Sequence, residues 1–205
     1  QTLSLGTSLW EAAALLAGTQ PALADEMRGR ASTYFDAFLG ARHQPKEGVF
    51  LNLQHRTMPD RMEALPIWGS VYGLSNAAPC GLIALRAGIL TDRADLIDWA
   101  IAMADCYART PFIADRPTVA TDAGVALALL TETYCITRKP EYLDAAHALG
   151  NMFMDIFLDM PLPRGATTID WYEAQLGTGS LIHALVRLCL VCDGRTDMEA
   201  DFTVR

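Results

Sequence analysis

What this sequence is short of narrows its function before any motif is considered. No apolar run approaches the roughly 20 residues that a bilayer-spanning helix needs. The stretch from Leu181 to Cys192 is broken by His183 and Arg187, and the one around Ile83 by Arg86. A membrane partner is therefore not expected. Positive charge is scarce: 16 Lys and Arg stand against 24 Asp and Glu, for a formal net charge of −8. The basic residues Arg28, Arg30, Arg42, Lys46, Arg56 and Arg61 form no stripe interleaved with aromatics. A chain so charged is repelled by phosphate backbones, and nucleic acid is not an expected partner either.

Motifs with a fixed chemistry are also missing. There is no GxSxG elbow, no HExxH and no Asp-rich diphosphate motif. Gly177-Thr178-Gly179 is an isolated GxG, read as close packing of helix backbones and not as a phosphate cradle. The five cysteines are Cys80, Cys106, Cys135, Cys189 and Cys192, an odd number set mostly in apolar helical stretches. That pattern reads as buried, reduced thiols and predicts a cytoplasmic protein. The N-terminus lacks the basic start of a secretory signal, although Ala22-Leu23-Ala24 has the form of a cleavage site. Cys189 and Cys192 have CxxC spacing but no second pair and no neighbouring His, so no metal or cofactor is expected.

What is present is a repeated helical cycle. Length, with about half of the residues apolar and a fifth charged, predicts a single domain over 1–205. Leu9 to Leu16 reads as a helix, and Pro21 opens a second through Met27, Tyr34, Phe35 and Phe38. Val49 to Leu53 reads as a short strand or extended loop, and Met58 to Trp68, holding Pro59 and Pro66, as irregular. Three cycles follow, led by Ser75-Asn76, by Thr121-Asp122-Ala123-Gly124 and by Asp170-Trp171-Tyr172-Glu173. Each leads into an apolar helix rich in small residues; in the first two a polar turn and an amphipathic helix follow. Gly81, Gly124 and Gly179 stand 43 and 55 positions apart, periods that mark an array of helical hairpins.

The prediction is an all-α protein with inner helices near 76–90, 121–136 and 173–192 and outer helices near 94–109 and 141–158. The inner ones are apolar all round and should be buried on every side. The outer ones carry a charged face: Asp92, Arg93, Asp95 and Asp98 in one, Glu141, Asp144, His147 and Asp155 in the other. Within the third inner helix, His183 reads as a satisfied core histidine.

Ala123 to Leu130, followed by Lys139-Pro140-Glu141-Tyr142-Leu143-Asp144-Ala145-Ala146, resembles the six-hairpin glycosidase-like superfamily of (α/α) toroids. Unsaturated glucuronyl hydrolases, sugar 2-epimerases and β-L-arabinofuranosidases belong to it. The likeness runs from Gly73 to Gly194, about 60% of the chain, and is one of fold rather than of a single family's signature. It implies a ring of six hairpins, against room for about four here. Part of the ring is then absent from this sequence, or the ring is open, or a homo-oligomer or another chain completes it.

The resemblance also implies a pocket at the loops leading into the inner helices, taking a small-molecule or oligosaccharide substrate. A sugar site needs carboxylates to move protons and bond hydroxyls, and flat aromatic faces to stack on the ring. Asp122, Glu173 and Asp170 are the catalytic candidates. Trp171, Tyr172, Gln175, Trp68, Tyr72 and His55 are the binding candidates, with Glu63 beside them. The competing reading makes Thr121, Asp122 and Asp170 helix caps and the aromatics a hydrophobic staple. The expected activity is glycoside hydrolysis or elimination on a uronate. Two alternatives stay open: a non-enzymatic helical-repeat binding protein, and a toroid enzyme acting on isoprenoids or peptides. The lanthionine-cyclase type of the latter is disfavoured, since its Cys/Cys/His zinc set cannot be assembled from these spacings.

Overall fold

The computed structural model describes residues 1–55, 57–58, 60–69, 76–170 and 176–197. The first hairpin is α1 (Thr2–Leu16) and α2 (Pro21–Leu39). Pro21 starts α2 at the position where a missing N–H costs nothing. The two helices approach closely at Gly6, where a Cβ would lie 2.7 Å from the Phe35 ring.

A two-stranded antiparallel sheet then crosses over, with β1 (Phe50–Gln54) against β2 (Met62–Leu65). Phe50 faces Leu65 and Gln54 faces Met62, with an irregularity between Leu51 and Leu53. The second strand was not foreseen. Pro59 and Pro66 argue against a long helix there, but both lie outside Met62–Leu65 and leave the strand its donors.

The remaining helices are α3 (Ala78–Thr91), α4 (Ala94–Arg109), α5 (Ala120–Thr137), α6 (Pro140–Phe157) and α7 (Thr178–Cys192). They match the predicted spans to within two residues except at the start of α7. There Gly177 takes a left-handed φ of 63° and the helix begins at Thr178. Residues 173–175 of the predicted span lie outside the described ones.

The chain is mostly helical and its helices form two layers. α1, α3, α5 and α7 pack side by side in that order, while α2, α4 and α6 each cover the inner helix that precedes them. The repeat shows in the backbone too. Asp92 (φ 55°) ends α3, Arg138 (φ 58°) ends α5 and Gly194 (φ 78°) follows α7, each in the left-handed conformation that turns the chain outward.

The core sits between the layers, and α5 is its axis, with 12 of 18 residues buried as its all-round apolar composition predicts. α7 departs from that expectation. It buries Leu181, Ala184, Leu185, Leu188 and Val191 but leaves Ile182, His183 and Val186 exposed. His183 is thus not a core histidine. Nor is Gly179 the site of close packing, since a Cβ there would meet nothing within 4 Å. The close approach is made by Gly124, where a Cβ would lie 2.6 Å from the Leu181 backbone.

Candidate functional site

The leading ends of the inner helices are joined by polar contacts. Before α3, the Asn76 amide donates to Oδ2 of Asp122 at 3.2 Å. The Ala78 amide is shared between Oδ1 of Asn76 at 3.1 Å and the Tyr107 hydroxyl at 2.9 Å. The Ala77 amide donates to the Pro66 carbonyl. The first amide of α3, which has no partner within the helix, is therefore met by Asn76 and by Tyr107 of α4, and the two amides ahead of the helix are met by Asp122 of α5 and by the segment after β2.

On α5 the expected caps act differently from the reading above. Val119 is the N-cap residue and no side chain caps the helix. Asp122 reaches across to α3, a contact 46 residues distant in sequence. The Thr121 hydroxyl donates to the Leu176 carbonyl at 2.7 Å, tying the head of α5 to the approach to α7. Gly177 packs directly on that hydroxyl, so no side chain fits there. The heads of α3, α5 and α7 thus converge, with the Asp122 carboxylate between the first two.

The cluster is dry. Asn76 is 1% exposed, Asp122 2% and Tyr107 2%. Burial pushes the Tyr107 phenol well above the usual tyrosine range, and the Asp122 charge adds to that rise. Asn76 carries a buried Nδ2 with no hydrogen-bond partner among the described residues, beside an amide and a carbonyl oxygen that are both satisfied.

The other candidates scatter. Trp68 is 2% exposed and donates from Nε1 to the Thr110 carbonyl at 2.8 Å. It packs edge-to-face on Tyr107 and Phe112, with ring centroids 4.7 and 5.0 Å away. A ring so enclosed offers no face to a sugar, so Trp68 is part of the core and not a platform. His55 closes the loop after β1, where its Nδ1 accepts the amides of Thr57 and Met58. Glu63, exposed on β2, accepts from Asn52 across the hairpin at 3.4 Å. Asp170 is exposed and bonded at 2.8 Å to Arg164, whose fork also holds Asp159. Tyr72, Trp171, Tyr172, Glu173 and Gln175 lie outside the described residues.

Two members of the cluster escaped the sequence reading of the site. Asn76 had a visible signal, since its amide precedes the first inner helix as Asp122 opens the second. Tyr107 had none, because one tyrosine on an amphipathic helix looks like core.

All five cysteines are free thiols, but Cys189 and Cys192 are exposed and do not serve as core packing. Among the described residues no group of three or more His, Cys, Asp or Glu is placed to hold a metal ion. No helix among them is long and apolar enough to cross a membrane. Compared with known proteins, the chain matches no family model, no curated protein and no solved structure.

Proposed function

We propose that this chain is a carbohydrate-active enzyme whose hairpins form an arc of an (α/α) toroid, with Asp122 as its acid/base carboxylate. The observation that carries the reading is that the buried Asp122 carboxylate joins the heads of α3 and α5, while the adjacent Thr121 ties α5 to the approach to α7. Leu176, tied to Thr121, directly follows the Trp171–Gln175 segment in sequence, so Glu173 stands three residues, Tyr172 four and Trp171 five from that anchor.

The test is turnover of aryl glycosides and of unsaturated uronides by the purified chain, with calorimetric titration of the same sugars. One sugar class should be turned over, and Glu173→Gln should lower that turnover by about a hundredfold or more. Neither turnover nor binding across the panel would contradict the reading. A second reading rests on Asp122 satisfying the Asn76 amide just ahead of α3: the carboxylate is then a structural tie, and the protein a helical-repeat binder.

A further inference from the structure

Cys80, Cys106 and Cys135 each stand alone on a helix, α3, α4 and α5, and each is buried or half-buried. Cys189 and Cys192 differ on both counts. They share the last turn of α7, three positions apart, and both are exposed free thiols. Cys192 also edges a groove of about 320 Å³ against α6, lined by Leu143, Asp144, His147 and Ala148. The Asp122 site makes no use of either thiol.

Helix geometry decides whether the two sulfurs can join. Residues three apart rise about 4.5 Å and come round to nearly the same side, which puts their Cα atoms about 5 Å apart. A disulfide accepts Cα separations of roughly 4.4–6.8 Å. The Cβ atoms are about 5–6 Å apart in a regular helix, and the bridge needs roughly 3.5–4.5 Å. The turn must therefore tighten by about 1 Å. Cys192 is the final residue of α7, and the chain leaves the helix at Asp193, whose amide donates to the Cys189 carbonyl at 3.0 Å. Helix ends fray, so a turn in this place can give where one inside the helix could not.

We infer that Cys189 and Cys192 are a redox-reactive dithiol, closed into an intramolecular disulfide by small disulfide oxidants of the glutathione class and reopened by small thiols. A thiolate of the pair attacks the oxidant, one small thiol leaves, and a mixed disulfide remains. The second thiol loses its proton, attacks the protein sulfur of that mixed disulfide and releases the second small thiol. Two electrons and two protons pass from the pair to the oxidant. Burial, with Cys189 and Asp193 next to it, holds the Cys192 thiol above its ordinary value. Such a thiol is a poor first attacker. Cys189 takes that step, and Cys192 completes the ring. The tightened turn strains the bridge, which makes it readily reversed rather than structural.

The experiment exposes the purified chain to oxidised glutathione, traps the remaining thiols with a maleimide and maps the digest by mass spectrometry. Trypsin cuts after Arg187 and Arg195, so both cysteines fall in the peptide 188–195. That peptide should appear two hydrogens lighter, and dithiothreitol should restore it. The mixed disulfide should stay below about a tenth of the product, because the second attack is intramolecular. Cys192→Ser should stop at a glutathione adduct on Cys189, and Cys189→Ser should form its adduct about tenfold or more slowly. A parent chain that keeps glutathione on each cysteine, or that stays unmodified, overturns the inference. So does a bridge from either residue to Cys80, Cys106 or Cys135, or to a second copy of the chain. The parent digest needs no substitution, so this outcome does not depend on how the variants fold.

Discussion

α5 and α7 are written in nearly the same language, small and apolar nearly throughout, yet one is enclosed and the other half bare. α5 has neighbours on every side, α3 and α7 in its own layer and α4 and α6 outside. α7 rests on α5 and, lightly, on α6, and turns Ile182, His183 and Val186 outward. All-round apolarity therefore reports what a helix can pack against, while burial depends on which neighbours the chain provides. The two helices meet without side chains between them at Gly124.

That crossing gives the largest expected effect. Gly124→Val places a side chain where a single Cβ would already lie 2.6 Å from the Leu181 backbone, so α5 and α7 must separate. A loss of about 4 kcal/mol in chemical denaturation is expected. Gly179→Ala, on the open side of the same crossing, should instead stabilise by up to about 1 kcal/mol through helix propensity. Equal responses at the two glycines would break the comparison.

Arg187→Ala comes next. It leaves Glu132 without its fork partner and releases the Arg195 and Thr196 carbonyls. The expected cost is about 3 kcal/mol, read from the denaturation midpoint. A near-neutral result would show that the α7 exit turn holds itself without the arginine.

A smaller effect sharpens the contrast from the other end of the molecule. His43 packs on Phe38 and Trp99, and its Nδ1 accepts the Leu51 amide at 3.0 Å. Burial holds the imidazole below its ordinary value of 6.5. The folded state then binds fewer protons than the unfolded one in this window. Stability is complete above about pH 6.5 and declines as the pH falls through the folded value. His43→Asn keeps an acceptor for Leu51 and should flatten the dependence of Tm on pH below 6.5. An unchanged slope would place the titration elsewhere.

The helices were legible because their periodicity, their turns and the alternation of apolar and amphipathic segments all agree; α4 falls on its predicted span, residue for residue. The hairpin was less so, since Met62-Glu63-Ala64-Leu65 is a short edge strand without clear alternation. At the site, Asp122 was visible as an acid at a helix head, but its partner was not. Residue type tells which groups seek a hydrogen bond, and only the crossing of α3 and α5 decides that Asn76, 46 positions earlier, supplies it. Trp68 failed for the same reason: an indole in an irregular stretch looks available until the fold brings Tyr107, Phe112 and the Thr110 carbonyl around it. The exposure of α7 was illegible because it depends on a neighbour and not on the helix itself.

The central claim is that the carboxylate at the inner-helix heads carries chemistry and is more than a tie between α3 and α5. Asp122→Asn separates the two, because its carboxamide oxygen can still accept the Asn76 amide while it can no longer exchange a proton. The measurement is turnover of the sugar class identified in the screen, together with Tm, for Asp122→Asn and Asp122→Ala. The expected result is near-parental Tm with at least a hundredfold loss of turnover in Asp122→Asn, and loss of both in Asp122→Ala. Parental turnover in Asp122→Asn, with only Asp122→Ala impaired through its stability, would contradict the account and leave Asp122 as a structural tie.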